Sequence, residues 1–182
     1  MKATWSNREI VLLAVLVASS LVATIYPMPM RAQAPAGDKI DTPQFELVFE
    51  EVVTLAPAVH PGKTPLGERN IVPITGGTFS GPNIKGQVMP GGWDWQLTSG
   101  GCTSLKADYM LKTDDGVIIN VLNRATMCEG KSAPGGTIMT APVFEAPVGR
   151  YEWLNDGVYI GALKVTTIEG KQAVRIRIFK VH

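Results

Sequence analysis

From residue 45 onward, short apolar runs are separated by clusters of Gly, Pro and Asp. Apolar and polar residues alternate with period two in these runs, which is typical of half-buried strands, and no stretch keeps a helical period beyond a turn or two. In the last run, Val174, Ile176 and Ile178 alternate with arginines. The pattern predicts ten short strands, at residues 45–55, 70–75, 78–80, 84–89, 93–97, 104–112, 117–124, 137–145, 158–165 and 173–181.

Ten short strands at this spacing indicate an all-β fold, a sandwich or a barrel, and we favour a single closed antiparallel β-barrel. The last predicted strand runs to Val181, next to the end of the chain. Pairing of this strand with the first would close the barrel and leave few exposed strand edges.

The turn around Asp115 and Gly116 sets the register of one hairpin. A three-residue loop at 114–116 places Cys102 opposite Cys128, within reach of a disulfide, whereas a two-residue loop puts the cysteines one residue out of register. Two free thiols are the alternative. We expect the disulfide, because the N-terminal segment points to an oxidising compartment.

The same register divides the hairpin side chains between two faces. One face carries Leu105, Ala107, Tyr109, Leu111, Ile119 and Val121, and the other carries Lys106, Asp108, Met110, Lys112, Ile118, Asn120 and Leu122. Neither face is plainly a solvent face. A barrel with a partly polar lumen and an apolar outer wall fits this pattern, and so does a homo-oligomer in which another subunit covers the outside.

The N-terminal segment has the order of a secretory signal. Lys2 and Arg8 precede an uncharged run at residues 10–26, and small residues follow. We expect cleavage after Ala34 or Ala36 and a secreted or periplasmic protein that leaves the membrane. The alternative is an uncleaved anchor, since 17 residues are at the lower limit of a membrane span.

Composition restricts the partners. Residues 35–182 carry 14 basic and 15 acidic side chains, and this neutral balance argues against a nucleic-acid partner. The chain then divides into a signal peptide at 1–34, a linker at 35–44 and one barrel domain at 45–182.

Several separated motifs together resemble a known family. They are PLGERNIVPITGGTFSGP at 65–82, GQVMPGGWDWQ at 86–96, LKTDDG at 111–116, Phe144-Glu145 and RYEWLN at 150–155. Their order and spacing are similar to those of domain-of-unknown-function family 3237, also called UPF0311. The resemblance implies a small single-domain barrel, calycin-like or allene-oxide-cyclase-like. It names no activity, but members occur beside aromatic-catabolic and polyketide genes, which points to a small aromatic or polyketide-like ligand.

The tetrapeptide Trp93-Asp94-Trp95-Gln96 is the first candidate site. On a strand the two tryptophans share one face and Asp94 lies opposite them with Gln96. Desolvation of Asp94 would raise its pKa towards values useful in acid–base catalysis. Alternatively, Asp94 caps the preceding Gly-Gly turn while the tryptophans fill the core.

The second candidate cluster contains Glu145, Arg150, Tyr151, Trp153 and Asn155. Aromatic walls with a few polar groups suit a small aromatic ligand, and Tyr and Asn can hold the oxygen of a carbonyl. The alternative is a sheet rim with an ordinary arginine–glutamate pair.

We therefore expect one of two functions. The first is an enzyme without a cofactor that acts on a small apolar carbonyl or phenolic compound by cyclisation, isomerisation or addition–elimination. In this enzyme, Asp94 or Glu145 is the general base. An oxyanion is stabilised by Tyr151, Asn155 and Tyr109. The ligand is lined by Trp93, Trp95 and Trp153. The second is a barrel that binds such a ligand without turnover. We expect no metal site, because two histidines offer little material for one.

Overall fold

The computed structural model describes residues 40–130 and 136–182, and almost all of the regular structure is β. Residues 40–44 have no regular secondary structure, and a turn of 3-10 helix spans Glu152–Leu154. The ten strands are β1 (Phe45–Leu55), β2 (Val59–Thr64), β3 (Gly67–Ser80), β4 (Lys85–Val88), β5 (Gly92–Ser99), β6 (Cys102–Thr113), β7 (Ile118–Cys128), β8 (Ile138–Glu145), β9 (Val158–Ile168) and β10 (Lys171–Val181). The predicted signal peptide and its cleavage sites lie outside the described residues.

The strands form a closed antiparallel barrel with eight positions around the ring. Strand β1 pairs with β10 on one side and with β3 on the other, so the last strand closes against the first, as predicted. Strands β4 and β5 both pair with β3 on one side and with β6 on the other, so together they fill one of the eight positions. Strand β2 lies beside the first half of β3. Within the described residues, no helix is long and apolar enough to cross a membrane.

Two local features depart from the predicted strands. Strand β2 was not predicted, because Pro61 and Gly62 are residues that usually interrupt a strand. The predicted strands 70–75 and 78–80 are one strand, β3, which continues through Gly76 and Gly77. A Cβ on Gly77 would lie 2.0 Å from the carbonyl oxygen of Val52, so glycine permits the close approach of β1 and β3.

The β6–β7 hairpin has the predicted register. Cys102 lies opposite Cys128, and the two residues form a disulfide with their Cα atoms 4.0 Å apart. The prediction succeeded because the three-residue loop fixes the pairing of every residue along both strands.

One half of the barrel is filled by aromatic side chains. The rings of Phe49 and Phe79 are 5.4 Å apart, Phe144 is 5.9 Å from Phe49, and Tyr159 is 4.9 Å from Phe144. Leu111 and Ile119, which lie close to the β6–β7 turn, are fully buried in the same core. The interior is therefore packed solid at this end.

Candidate functional site

The other half of the barrel contains a cavity of about 310 Å³, within the range of small-molecule sites. Met127 and Val165 line it and are exposed, so the cavity opens towards the end of the barrel that carries the disulfide. Apolar side chains form most of the wall. The polar residues in the lining are Asn70, Asp94, Gln96, Tyr109, Asn123, Arg124, Thr140 and Gln172.

Strand alternation places these side chains in the lumen. On β6 the inward residues are Leu105, Ala107 and Tyr109, which belong to one of the two faces predicted for this hairpin. On β5 the inward residues are Asp94 and Gln96. A polar pair at inward positions of a strand is unusual in a packed core, and here it faces the cavity instead.

Asp94 anchors a row of hydrogen bonds along the wall. The Nε2 atom of Gln96 donates to Oδ2 of Asp94 at 2.7 Å, and Nδ2 of Asn70 donates to Oε1 of Gln96 at 2.8 Å. Burial raises the pKa of Asp94 above its ordinary value, although the bonds from Gln96 and from the Lys106 backbone oppose the shift. Oδ1 of Asp94 and Oδ1 of Asn70 are buried without a partner among the described residues.

Glu51 anchors a second row at the inner end of the cavity. The hydroxyl of Tyr109 donates to Oε1 of Glu51 at 2.6 Å, and both side chains are buried. Burial raises the pKa of Glu51 to about 7, against the lowering effect of the Tyr109 bond. Burial, followed by the charge of Glu51, raises the pKa of Tyr109, whereas a hydrogen bond from Asn123 lowers it.

The two rows meet in the sheet around Ala107. Asp94 pairs with Ala107 on β6, and Ala107 pairs with Asn123 on β7, so Asp94 and Asn123 lie about 10 Å apart across two strand spacings. Tyr109 follows Ala107 at the next inward position. The small side chain of Ala107 leaves the space between the three polar residues open to the cavity.

Of the residues proposed from sequence, Asp94 and Tyr109 line the cavity. Trp93 and Trp95 do not, because both point outwards and are about two-fifths exposed. Asp94 is desolvated by the lumen and not by tryptophan rings, and the tryptophans do not fill the core either. They form, with Met110, part of the outer surface, which neither alternative for the tryptophans expected.

The second predicted cluster does not join Asp94. Glu145 is exposed at an outward position of β8. Tyr151 donates to Oδ1 of Asp115 at the β6–β7 turn, and Trp153 lines a separate surface pocket. Asn155 bonds the backbone N–H and carbonyl of Ala146, which holds a loop in place. The expected meeting of Glu145, Tyr151 and Asn155 with Asp94 around one cavity is wrong, because Glu145 points outwards on β8 and the other two lie in the loop after β8, outside the cavity lining.

The sequence reasoning missed Glu51, Asn70, Asn123 and Thr140. Alternation could have found Glu51, since it shares a strand face with Phe49 and Val53, both of which are buried. In the described part of the chain, no group of three or more His, Cys, Asp or Glu side chains is placed to hold a metal ion.

The fold and the cavity define a closed β-barrel with a ligand-sized, mostly apolar lumen that contains carboxyl groups. The chain belongs to the family described as proteins of unknown function (DUF3237), whose sequence profile matches residues 43–181. The sequence resemblance to this family is confirmed.

Known relatives share the barrel. A UPF0311 protein of Rhodopseudomonas palustris is 30% identical over 136 residues, which are 66% of this chain and 89% of that protein. A crystal structure of a β-barrel-like protein from Acinetobacter baumannii is 29% identical with a TM-score of 0.67, covering 80% of this chain and 99% of that one. The hydroalkoxylation enzyme phnH of Penicillium herquei is 28% identical over 122 residues, 66% of this chain and 74% of the enzyme. This relative is an enzyme, whereas the family as a whole is described as one of unknown function.

Proposed function

We propose that the protein is an enzyme that uses its own side chains for acid–base catalysis on a small apolar carbonyl or phenolic compound in the barrel lumen. The observation that carries this proposal is the presence of two carboxyl groups with raised pKa, Glu51 and Asp94, in and beside one apolar cavity. Burial of this kind moves the pKa of a carboxyl group towards neutrality, and such groups are common in active sites.

The reaction class that this arrangement suits is the addition of a hydroxyl group across a carbon–carbon double bond of the same molecule. The name of the phnH relative describes hydroalkoxylation. Asp94 takes the proton of the substrate hydroxyl, and the oxygen forms a bond to one alkene carbon. The other carbon takes a proton from Tyr109, and protonated Glu51 replaces the proton that Tyr109 has lost. The proton held by Asp94 then returns to Glu51 through water, which restores both carboxyl groups for the next turnover. The product is an isomer of the substrate, so the reaction balances without an oxidant or reductant.

Non-catalytic binding is the second candidate, because most of the cavity lining is apolar and would hold a ligand without chemistry. The two candidates differ in what the carboxyl groups do. In a carrier, removal of their charge changes affinity alone.

An assay with 2-allyl-1-naphthol tests the proposal. Cyclisation gives a product of the same mass without the phenolic hydroxyl, which chromatography with mass detection separates from the substrate. We expect the wild type to accelerate the reaction and Asp94→Asn and Glu51→Gln to lose at least 100-fold of that rate. Glu145→Gln is the matched control, since it neutralises an outward carboxyl group and should retain full activity. Binding without turnover by the wild type would favour the carrier.

We also propose that the protein is exported. The disulfide is compatible with an extracytoplasmic compartment, where such bonds persist. Expression of the full chain followed by cell fractionation and N-terminal sequencing tests this proposal. We expect a mature protein outside the cytoplasm that begins after Ala34 or Ala36, and an intact N-terminus in the membrane fraction would indicate an anchor.

A further inference from the structure

The direction of each hydrogen-bond row in the lumen is set by its carboxylate. An ionised carboxylate only accepts hydrogen bonds, so Gln96 must turn its amide nitrogen towards Asp94 and its oxygen towards Asn70. Asn70 must then donate with its nitrogen. Its oxygen is left as a free acceptor, and Asp94, whose Oδ1 also lacks a partner, lies on the same part of the wall, two residues along β5 from the partner of Asn70.

The direction of the second row is set by the bond from Tyr109 to Oε1 of Glu51, an oxygen that accepts whether the carboxyl group is ionised or carries its proton on Oε2. Tyr109 donates its hydroxyl hydrogen to Glu51, so the hydroxyl oxygen is available to accept a hydrogen bond from the amide nitrogen of Asn123. The amide oxygen of Asn123 is then free, and it is buried together with the hydroxyl of Thr140, which also lacks a partner in the described part of the chain. Asn123 and Thr140 are each more than nine-tenths buried and line the cavity.

These free atoms share one chemical property. Oδ1 of Asp94, Asn70 and Asn123 can only accept a hydrogen bond in this arrangement, and Thr140 can accept one as well. A buried acceptor without a donor destabilises the empty site, so a ligand that supplies donors gains affinity and one that supplies only acceptors does not. The acceptors come from two parts of the wall, β3 with β5 and β7 with β8.

We infer that the ligand of this lumen is a polyhydroxylated aromatic compound, with at least two hydroxyl groups that donate to the Asp94–Asn70 pair and to the Asn123–Thr140 pair. The apolar remainder of the lining takes the ring faces. This inference rests on the proposed use of the cavity as the substrate site, and it favours a phenol over a simple carbonyl compound. A carbonyl oxygen placed at either of these two pairs would meet acceptors, which repel it.

Equilibrium binding to the full, oxidised protein tests the inference without turnover. Isothermal titration calorimetry compares 1,3-dihydroxynaphthalene with three ligands that keep the ring but lack hydroxyl donors, namely 1,3-dimethoxynaphthalene, naphthalene and 1-acetylnaphthalene. We expect the dihydroxy compound to bind about tenfold more tightly for each hydroxyl that finds an acceptor, or about 100-fold overall. Naphthalene lacks the hydroxyl donors and adds no bulk to the ring. The acetyl group of 1-acetylnaphthalene offers only a hydrogen-bond acceptor.

A variant pair locates the contact. Thr140→Val removes the cavity hydroxyl at nearly constant volume, and Thr126→Val removes an exposed threonine from the same barrel as a control. We expect Thr140→Val to weaken binding of the dihydroxy compound several-fold, with no change for naphthalene, and Thr126→Val to change neither.

The outcomes separate this inference from the proposed function. The inference is overturned if the dihydroxy, dimethoxy and acetyl compounds bind with equal affinity, or if the acetyl compound binds most tightly. This holds even where 2-allyl-1-naphthol is turned over. Tight, donor-dependent binding in a protein that turns over no alkenyl phenol supports the inference and counts against the enzymatic proposal. An unchanged affinity in Thr140→Val overturns the placement of the second hydroxyl.

Discussion

The hydroxyl of Tyr109 lies 2.6 Å from Oε1 of Glu51, although 58 residues separate them in the chain and they belong to strands that are not neighbours. The bond crosses the interior at the boundary between the aromatic core and the cavity. Closure of the barrel creates this pair, because only a closed ring brings the inward faces of β1 and β6 together. The burial of the Glu51 carboxyl group is therefore a direct consequence of the fold.

The buried carboxyl of Glu51 should make the protein less stable as the pH rises. Its pKa in the folded state is about 7 against an ordinary value of 4.5, so folding disfavours the charged form. The group costs little below pH 4.5, the cost grows as the pH rises from 4.5 to 7, and it levels off above pH 7. Glu51→Gln removes this dependence. We expect the stability of the variant relative to wild type to increase by about 2.5 kcal/mol between pH 5 and pH 8.5 in urea denaturation. A constant difference across that range would contradict the buried, protonatable state of Glu51.

Asp94→Asn should leave the free energy of unfolding at pH 7 unchanged or slightly higher. Its raised pKa shows that the native state disfavours the charge, and asparagine keeps an oxygen that can accept the bond from Gln96. Thermal denaturation of the two proteins measures this. A variant that loses both activity and several kcal/mol of stability would assign Asp94 a structural role.

The disulfide should contribute about 3 kcal/mol, because it closes a loop between residues 26 positions apart. Replacement of both cysteines by serine should lower the free energy of unfolding by about this amount. Non-reduced peptide mapping of wild type should recover a linked Cys102–Cys128 peptide. Alkylation of both cysteines without a reductant would refute the bond.

Gly77→Ala should destabilise the protein severely. The new Cβ would meet the backbone of Val52 at 2.0 Å, and Gly77 has a φ of 142°. Gly100→Ala is the matched control, since its Cβ would meet nothing within 4 Å and only the backbone conformation is strained. We expect the loss at Gly77 to exceed that at Gly100 by at least about 2 kcal/mol, because β1 and β3 must separate. Equal losses would mean that this closure of the barrel does not depend on glycine.

Strand existence and the hairpin register could be predicted because they depend on local patterns. Alternation in 173–181 identified β10, and the loop at 114–116 fixed the pairing of Cys102 with Cys128. The orientation of β5 was also readable, since Trp93 and Trp95 do lie opposite Asp94. Which of its faces points inwards depends on the closure of the ring, which no local pattern reports.

The site was harder to predict for the same reason. Glu145 and Asp94 are both acidic residues in strands, but one faces solvent and the other the lumen. Tyr151 and Asn155 look like ligand-binding residues in sequence, whereas the structure uses them to hold loops. The partnership of Glu51 with Tyr109 requires contact across the barrel, and neither spacing nor composition contains that information.

The most direct test of the lumen as the active site is a carboxyl-carbon NMR titration of the full, oxidised protein with and without 1,3-dihydroxynaphthalene. Signals are assigned with Glu51→Gln, Asp94→Asn and Glu145→Gln. We expect Glu51 to titrate near pH 7 and Asp94 above its ordinary value, and both signals to shift when the ligand binds while Glu145 stays unchanged. Ordinary pKa values for Glu51 and Asp94, with signals indifferent to the ligand, would contradict the account.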